Sequence, residues 1–174
     1  PLGARGSHDI RALPIFPAPA ECKRQAALTA FHREDLLILR DEAVLLRRAE
    51  EALPGCYAPY SGIRIAAVLE ASDGSLHTGV NVENASYGLT ICAERSAVSA
   101  AAAAGKRKFL RILIYSPDCL PLPCGACRQV LGEFCGGEVQ VVAASPDGKE
   151  VFTLDQLLPH PFDLKKEGSE KHGK

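Results

Sequence analysis

Cys92-Ala93-Glu94-Arg95, and then Pro123-Cys124-Gly125-Ala126-Cys127-Arg128-Gln129, put three thiols and a carboxylate into two short runs, each readable as the start of a helix. Zinc at a catalytic centre takes three protein ligands and keeps a position for water, whereas structural zinc takes four. Three placed sulfurs without a fourth partner therefore point to catalysis. Cys124 and Cys127 stand at i and i+3, and the Gly125-Ala126 pair between them suits a first helical turn, which puts both sulfurs on one face. Cys92 reads as lying just inside a second helix with Thr90 as its N-cap. Two helix N-termini aimed at one ion would lower the thiol pKa values and favour the thiolates that zinc binds. A structural zinc ribbon would need a second C-x-x-C pair, and the sequence has none.

Glu94 is two residues from Cys92 and is free to move protons beside the open position. A ligand, one residue, a glutamate, and later Pro-Cys-x-x-Cys is the arrangement in which zinc deaminases use the glutamate as general acid and base. Three thiolates bring three negative charges to a 2+ ion and weaken it as a Lewis acid. Arg95, at i+3 from Cys92 on the same helix face, can offset that charge by donating hydrogen bonds to sulfur.

Further motifs stand in order around these runs: Tyr57-Ala58-Pro59-Tyr60-Ser61, Asn81-Val82-Glu83-Asn84-Ala85 and Leu157-Leu158-Pro159. From about Tyr57 to Phe162 the chain resembles the cytidine deaminases that act on free nucleosides, in the homotetrameric class with three cysteine ligands. The resemblance implies a cytidine-deaminase-like three-layer α/β/α fold with a mixed five-stranded sheet, one zinc per subunit, and hydrolysis of cytidine and deoxycytidine to uridine and deoxyuridine with release of ammonia. It implies that Cys92, Cys124 and Cys127 hold the metal and that Glu94 is catalytic. Asn81 and Glu83 would bind the ribose hydroxyls, and an amide with a carboxylate does suit a diol that donates and accepts. Ala93 and Ile63 would contact substrate, Phe162 would reach into a neighbour's pocket to cover the base, and Tyr87 would lie near a subunit boundary. Each pocket would thus be completed by neighbouring subunits of a homotetramer.

Two positions depart from the family pattern. Ile63 stands where relatives usually carry a phenylalanine, and an aromatic stacked on a base contributes roughly 1–3 kcal/mol elsewhere. Weaker substrate binding or a roomier pocket is expected, so a deaminase of a modified nucleoside or nucleoside antibiotic is an alternative. Leu122 replaces a common serine before Pro123 and would remove a hydrogen bond near the ligands. A zinc-stabilised scaffold without catalysis is the alternative from another class, and an unliganded Glu94 argues against it.

Composition agrees with this reading. A chain of 174 residues with 47 % hydrophobic content fits one domain with a core, and a net charge of -1 gives no general attraction to nucleic acid. Seven cysteines without a signal-peptide pattern point to a reducing, cytoplasmic setting, where thiols stay available to metal. Cys22, Cys56, Cys119 and Cys135 read as plain thiols, with Cys119 the nearest rival ligand, and none of the histidines stands in a metal or triad motif. No apolar run approaches the ~18 residues of a membrane span.

The expected organisation is an N-terminal extension over 1–33 that includes a possible cloning remnant, a deaminase domain over 34–162, and a polar tail over 163–174. Within the domain the pattern predicts a helix from Glu34 to Leu53 with Leu36, Leu39, Val44 and Leu46 inward. A hairpin of Ile63–Glu70 and Leu76–Val82 and a helix from Cys92 toward Gly105 follow. Next come a strand at Leu110–Tyr115, the Cys124 helix, strands at Val139–Ala144 and Val151–Phe152, and a short helix at Leu154–Leu158. The alanine-rich run after Cys92 suits either a subunit contact or plain helix propensity.

Overall fold

The computed structural model describes residues 41–163. The extension over 1–33, the helix start expected at Glu34 and the tail beyond Asp163 lie outside the described residues.

Helix α1 (Glu42–Ala52) begins at Asp41, whose carboxylate accepts the Ala43 N–H, and Glu42 in its first turn complements the helix dipole. Leu45 and Ala49, four residues apart, form its buried stripe against Ala66, Val68, Leu113, Tyr115 and Val142. Val44, expected to face inward, is 39 % exposed, because the true stripe runs one residue, or about 100°, further round the helix.

The sheet runs in the order β2-β1-β3-β4-β5, with β1 (Ala66–Ala71), β2 (Leu76–Val80), β3 (Phe109–Tyr115), β4 (Gln140–Ser145) and β5 (Gly148–Thr153). Only β3 and β4 pair in parallel; the other neighbours are antiparallel. A parallel pair needs a crossover, and α3 (Gly125–Phe134) supplies it. Ala67, Leu69, Ile112, Ile114 and Val141 face α2 (Ala93–Ala103) and α3, and the alternate residues face α1. A short α4 (Leu154–Leu157) closes the chain's path back to α3. These are the three layers and mixed five-stranded sheet that were expected. Among the described residues no helix is long and apolar enough to cross a membrane.

Strand β1 starts at Ala66 rather than Ile63, and the backbone of 63–65 bonds mainly to side chains, although the Ile65 carbonyl still accepts the Asn81 N–H. Asn81 Nδ2 donates to the Ile63 carbonyl, and Asn81 Oδ1 accepts the Ile65 N–H. Strand β2 likewise ends at Val80, before Asn81 turns to this task.

Part of the alanine run after Cys92 packs within the chain, while Ala100, Ala103 and Ala104 are exposed. Ala93, Ala97 and Ala101 are fully buried on the sheet, and Gly79 of β2 meets them so closely that a Cβ there would lie 2.2 Å from the Ala97 nitrogen. Overpacking of that kind costs about 1–3 kcal/mol. Close seating of α2 on β2 and β1 fixes the height of its N-terminus, which is where Cys92 and Glu94 sit.

Candidate active site

Both zinc helices are entered through a ligand. Cys92 is the N-cap of α2 and Cys124 the N-cap of α3, each with extended backbone and neither using its side chain to cap. Thr90 is therefore not the cap that was expected. It follows a single 3-10 turn at Tyr87–Leu89, its hydroxyl accepts the Asn84 N–H, and its carbonyl accepts from Arg95. Serine and threonine are favoured caps because an oxygen satisfies the orphan amides; here a sulfur holds that place, free to bind metal.

Cys127 lies three residues past its cap, where a side chain reaches back over the helix start. The Cys124 and Cys127 sulfurs are 3.5 Å apart, and the Cys92 and Cys124 sulfurs 4.0 Å. Three sulfurs at 2.3 Å from one tetrahedral ion would stand about 3.8 Å apart, so the trio fits zinc with little adjustment. Among the described residues these three form the one metal-ligand cluster. Cys119, the rival, lies off it with its sulfur 3.9 Å from the Ser116 hydroxyl, and Cys56 donates to the Ile65 carbonyl.

The electrostatics favour a thiolate at Cys92. Hydrogen bonding from Cys127, supported by Arg95, holds the Cys92 thiol down to about 5, while donating that bond pushes Cys127 up. Arg95 Nη2 donates to the Thr90 carbonyl at 2.6 Å and approaches the Cys92 sulfur at 3.9 Å. Its Nε is buried without a hydrogen-bond partner among the described residues. We expect Arg95→Ala to retain fold and zinc but to lower kcat about tenfold, the scale of an altered outer-shell partner. Zinc content, thermal midpoint and kcat together check this; an unchanged kcat would leave Arg95 only its bond to Thr90.

Glu94 is in the first turn of α2 and only 5 % exposed. Burial raises its carboxyl above the usual range, and the neighbouring Cys92 charge adds to the effect. A carboxyl of this kind exchanges protons nearer neutrality, as a proton carrier requires. Ala93 beside it is wholly buried, its methyl part of the core.

Asn81 and Glu83 are drawn toward the same corner. Val82 exchanges two backbone hydrogen bonds with Ile91, and Tyr57 brackets the segment by donating to Asn81 and accepting from Glu83. The segment is thereby tied to the chain that enters Cys92. Asn81 is buried and holds Ile63 and Ile65 as described. Glu83 Oε2 accepts the Tyr60 and Ser61 N–H groups, while Oε1 accepts the Ser61 hydroxyl, and these donors lower its pKa.

Ile63 is exposed, and Leu122 is exposed ahead of Cys124. Tyr87 is 80 % exposed and Phe162 63 %, so neither ring packs into the core of its own chain. Phe162 is nevertheless held. Gln129, two residues past Cys127, donates to its carbonyl and accepts its N–H.

Four residues not singled out from the sequence brace the site. Gln129 presents Phe162, Arg128 donates to the Pro123 and Leu157 carbonyls, Asp118 takes the Arg64 guanidinium and N–H, and Ser61 grips Glu83. Gln129, Arg128 and Ser61 all stand within quoted motifs, which was their only signal; Asp118 had none.

Comparison with known proteins covers the stretch that holds the three cysteines and Glu94. The cytidine and deoxycytidylate deaminase zinc-binding region matches residues 39–143. The cytidine deaminase of Halalkalibacterium halodurans is 41 % identical over 124 residues, 70 % of this chain and 94 % of that one. The Mycobacterium tuberculosis cytidine deaminase is 40 % identical over 125 residues, 71 % of this chain and 91 % of that one. A crystal structure of cytidine deaminase from Burkholderia pseudomallei superposes with a TM-score of 0.67 at 39 % identity, over 71 % of this chain and 100 % of that one. The three sulfurs at two helix starts, with a buried glutamate among them, are thus seen in the setting where relatives share both sequence and fold, and the chain belongs to the cytidine and deoxycytidylate deaminase zinc-binding family.

Proposed function

We propose that the protein hydrolyses cytidine and deoxycytidine to uridine and deoxyuridine, releasing ammonia, with one zinc per subunit on Cys92, Cys124 and Cys127. The observation that carries this is the buried, unliganded Glu94 carboxyl beside three sulfurs spaced for one ion. Bound zinc supplies the Lewis acidity that makes water nucleophilic near neutral pH. Glu94 takes a proton from the attacking water as its oxygen bonds to C4, and delivers that proton to N3. It then carries the second water proton to the exocyclic nitrogen. The C4–N4 bond breaks, ammonia leaves, and the oxygen stays as the C4 carbonyl of the product. One carboxyl serves both transfers, and burial, which raises its pKa, makes it a better proton acceptor than an exposed glutamate.

In this reading Asn81 and Glu83 recognise the ribose hydroxyls, Ile63 walls the base, and Phe162 and Tyr87 act at subunit boundaries. Their exposed rings support contacts between subunits, as do Leu89, Ile91, Leu120 and Leu122 on the segments entering the two zinc helices, and the family resemblance puts the number at four. A reducing cytoplasm is the setting that keeps such a thiol trio free for metal. The test is ammonia release from cytidine by purified, zinc-loaded protein. Rapid release is expected. No release from protein holding one zinc per chain, with turnover of a base-modified analogue instead, would favour the altered pocket at Ile63.

A further inference from the structure

We propose that Ser61 is the positioning residue that couples recognition of the sugar at Glu83 to placement of the base-pocket wall at Ile63; this rests on the assignment of Glu83 to the ribose. The Ser61 hydroxyl lies 2.5 Å from Glu83 Oε1 and 3.0 Å from the Ile63 nitrogen. The backbone N–H of Ile63 can only donate, so the hydroxyl accepts there and its single proton goes to Glu83. The direction of the chain of bonds is fixed: Ile63 N–H to Ser61, Ser61 O–H to Glu83.

A carboxylate offers about four acceptor directions. Tyr60 and Ser61 N–H groups occupy Oε2, and the Ser61 hydroxyl takes one direction on Oε1. About one direction is left, on the oxygen that Ser61 holds, so a sugar hydroxyl meets a single aimed acceptor. The wall is gripped from the other side by the second ribose residue, since Asn81 Nδ2 donates to the Ile63 carbonyl. Both backbone groups of Ile63 are therefore held by the sugar-reading pair, one directly and one through Ser61. Gly62, at φ 73°, makes the turn that allows it.

The experiment compares zinc-loaded wild type, Ser61→Ala, Ser61→Thr and Glu83→Gln. Calorimetric Kd values for uridine and 2′,3′-dideoxyuridine are measured alongside kcat and KM for cytidine. Losing one hydrogen bond to a charged acceptor is expected to raise the uridine Kd and cytidine KM about tenfold in Ser61→Ala, with kcat within about twofold. The preference for uridine over the dideoxy compound should shrink as it does in Glu83→Gln, and Ser61→Thr should restore it. If Glu83→Gln loses the preference while Ser61→Ala keeps it, the Ser61 proposal falls and the ribose assignment stands. Equal binding of both nucleosides by wild type overturns both. A lowered thermal midpoint in Ser61→Ala with an intact preference would reduce Ser61 to a structural role.

Discussion

Glu94→Gln is expected to keep its zinc and lose about 10⁴-fold in kcat for cytidine, the upper end for general acid-base catalysis because one group makes two proton transfers. Glutamine has nearly the same shape and can still hydrogen-bond, but it cannot take a proton from water or pass one to N3 or the amine. The fold should not suffer. Burial opposes the charged form of Glu94, so a neutral amide removes a strain from the protein, and the thermal midpoint should hold or rise. Zinc per chain, thermal midpoint and kcat at saturating cytidine decide the matter. Residual turnover within about a hundredfold of wild type would sink the assignment.

The second large effect is loss of the metal in Cys124→Ala. Cys124 is exposed at the cap of α3, whereas Cys127 is fully buried, so truncating Cys124 tests ligation with little change in core packing. Even partners outside the ligand set typically cost 10–100-fold in metal affinity. Removing a ligand should exceed about a hundredfold, and dialysed protein should lose zinc and turnover together. Circular dichroism should remain native-like, since the buried core and sheet do not depend on this sulfur. One zinc per chain retained after dialysis would mean that a different set of ligands holds it.

The two predictions concern the part of the molecule most legible in the sequence. The cap and third-residue positions of a helix are adjacent whatever surrounds them, so Pro123-Cys124-Gly125-Ala126-Cys127 announces two ligands locally. Cys92-Ala93-Glu94 does the same for a third ligand and its carboxylate. Thr90 misled because cap preference is a statement about residue types, and the backbone at Cys92 had already taken the extended cap conformation. Ile63 and Ile65 alternate like a strand, but alternation says nothing of which groups the backbone will meet. They meet the Asn81 amide. Val44 was placed inward by counting leucines along a helix whose stripe is set by Leu45 and Ala49 against the sheet.

Sequence alone announced the three-cysteine cluster with a glutamate beside it, the layer architecture and the family, because each is written in short-range spacing or in ordered motifs. Tertiary structure alone decided that Cys92 and Cys124, 32 residues apart, bring their sulfurs to 4.0 Å. It also decided that Ser61 aims Glu83 across 22 residues and that Gln129 holds Phe162 across 33. Such contacts depend on how closely α2 seats on Gly79 and on where the crossover into the parallel β3–β4 pair lands α3. Backbone approach and crossover placement are set by packing of the whole sheet, which no local spacing encodes.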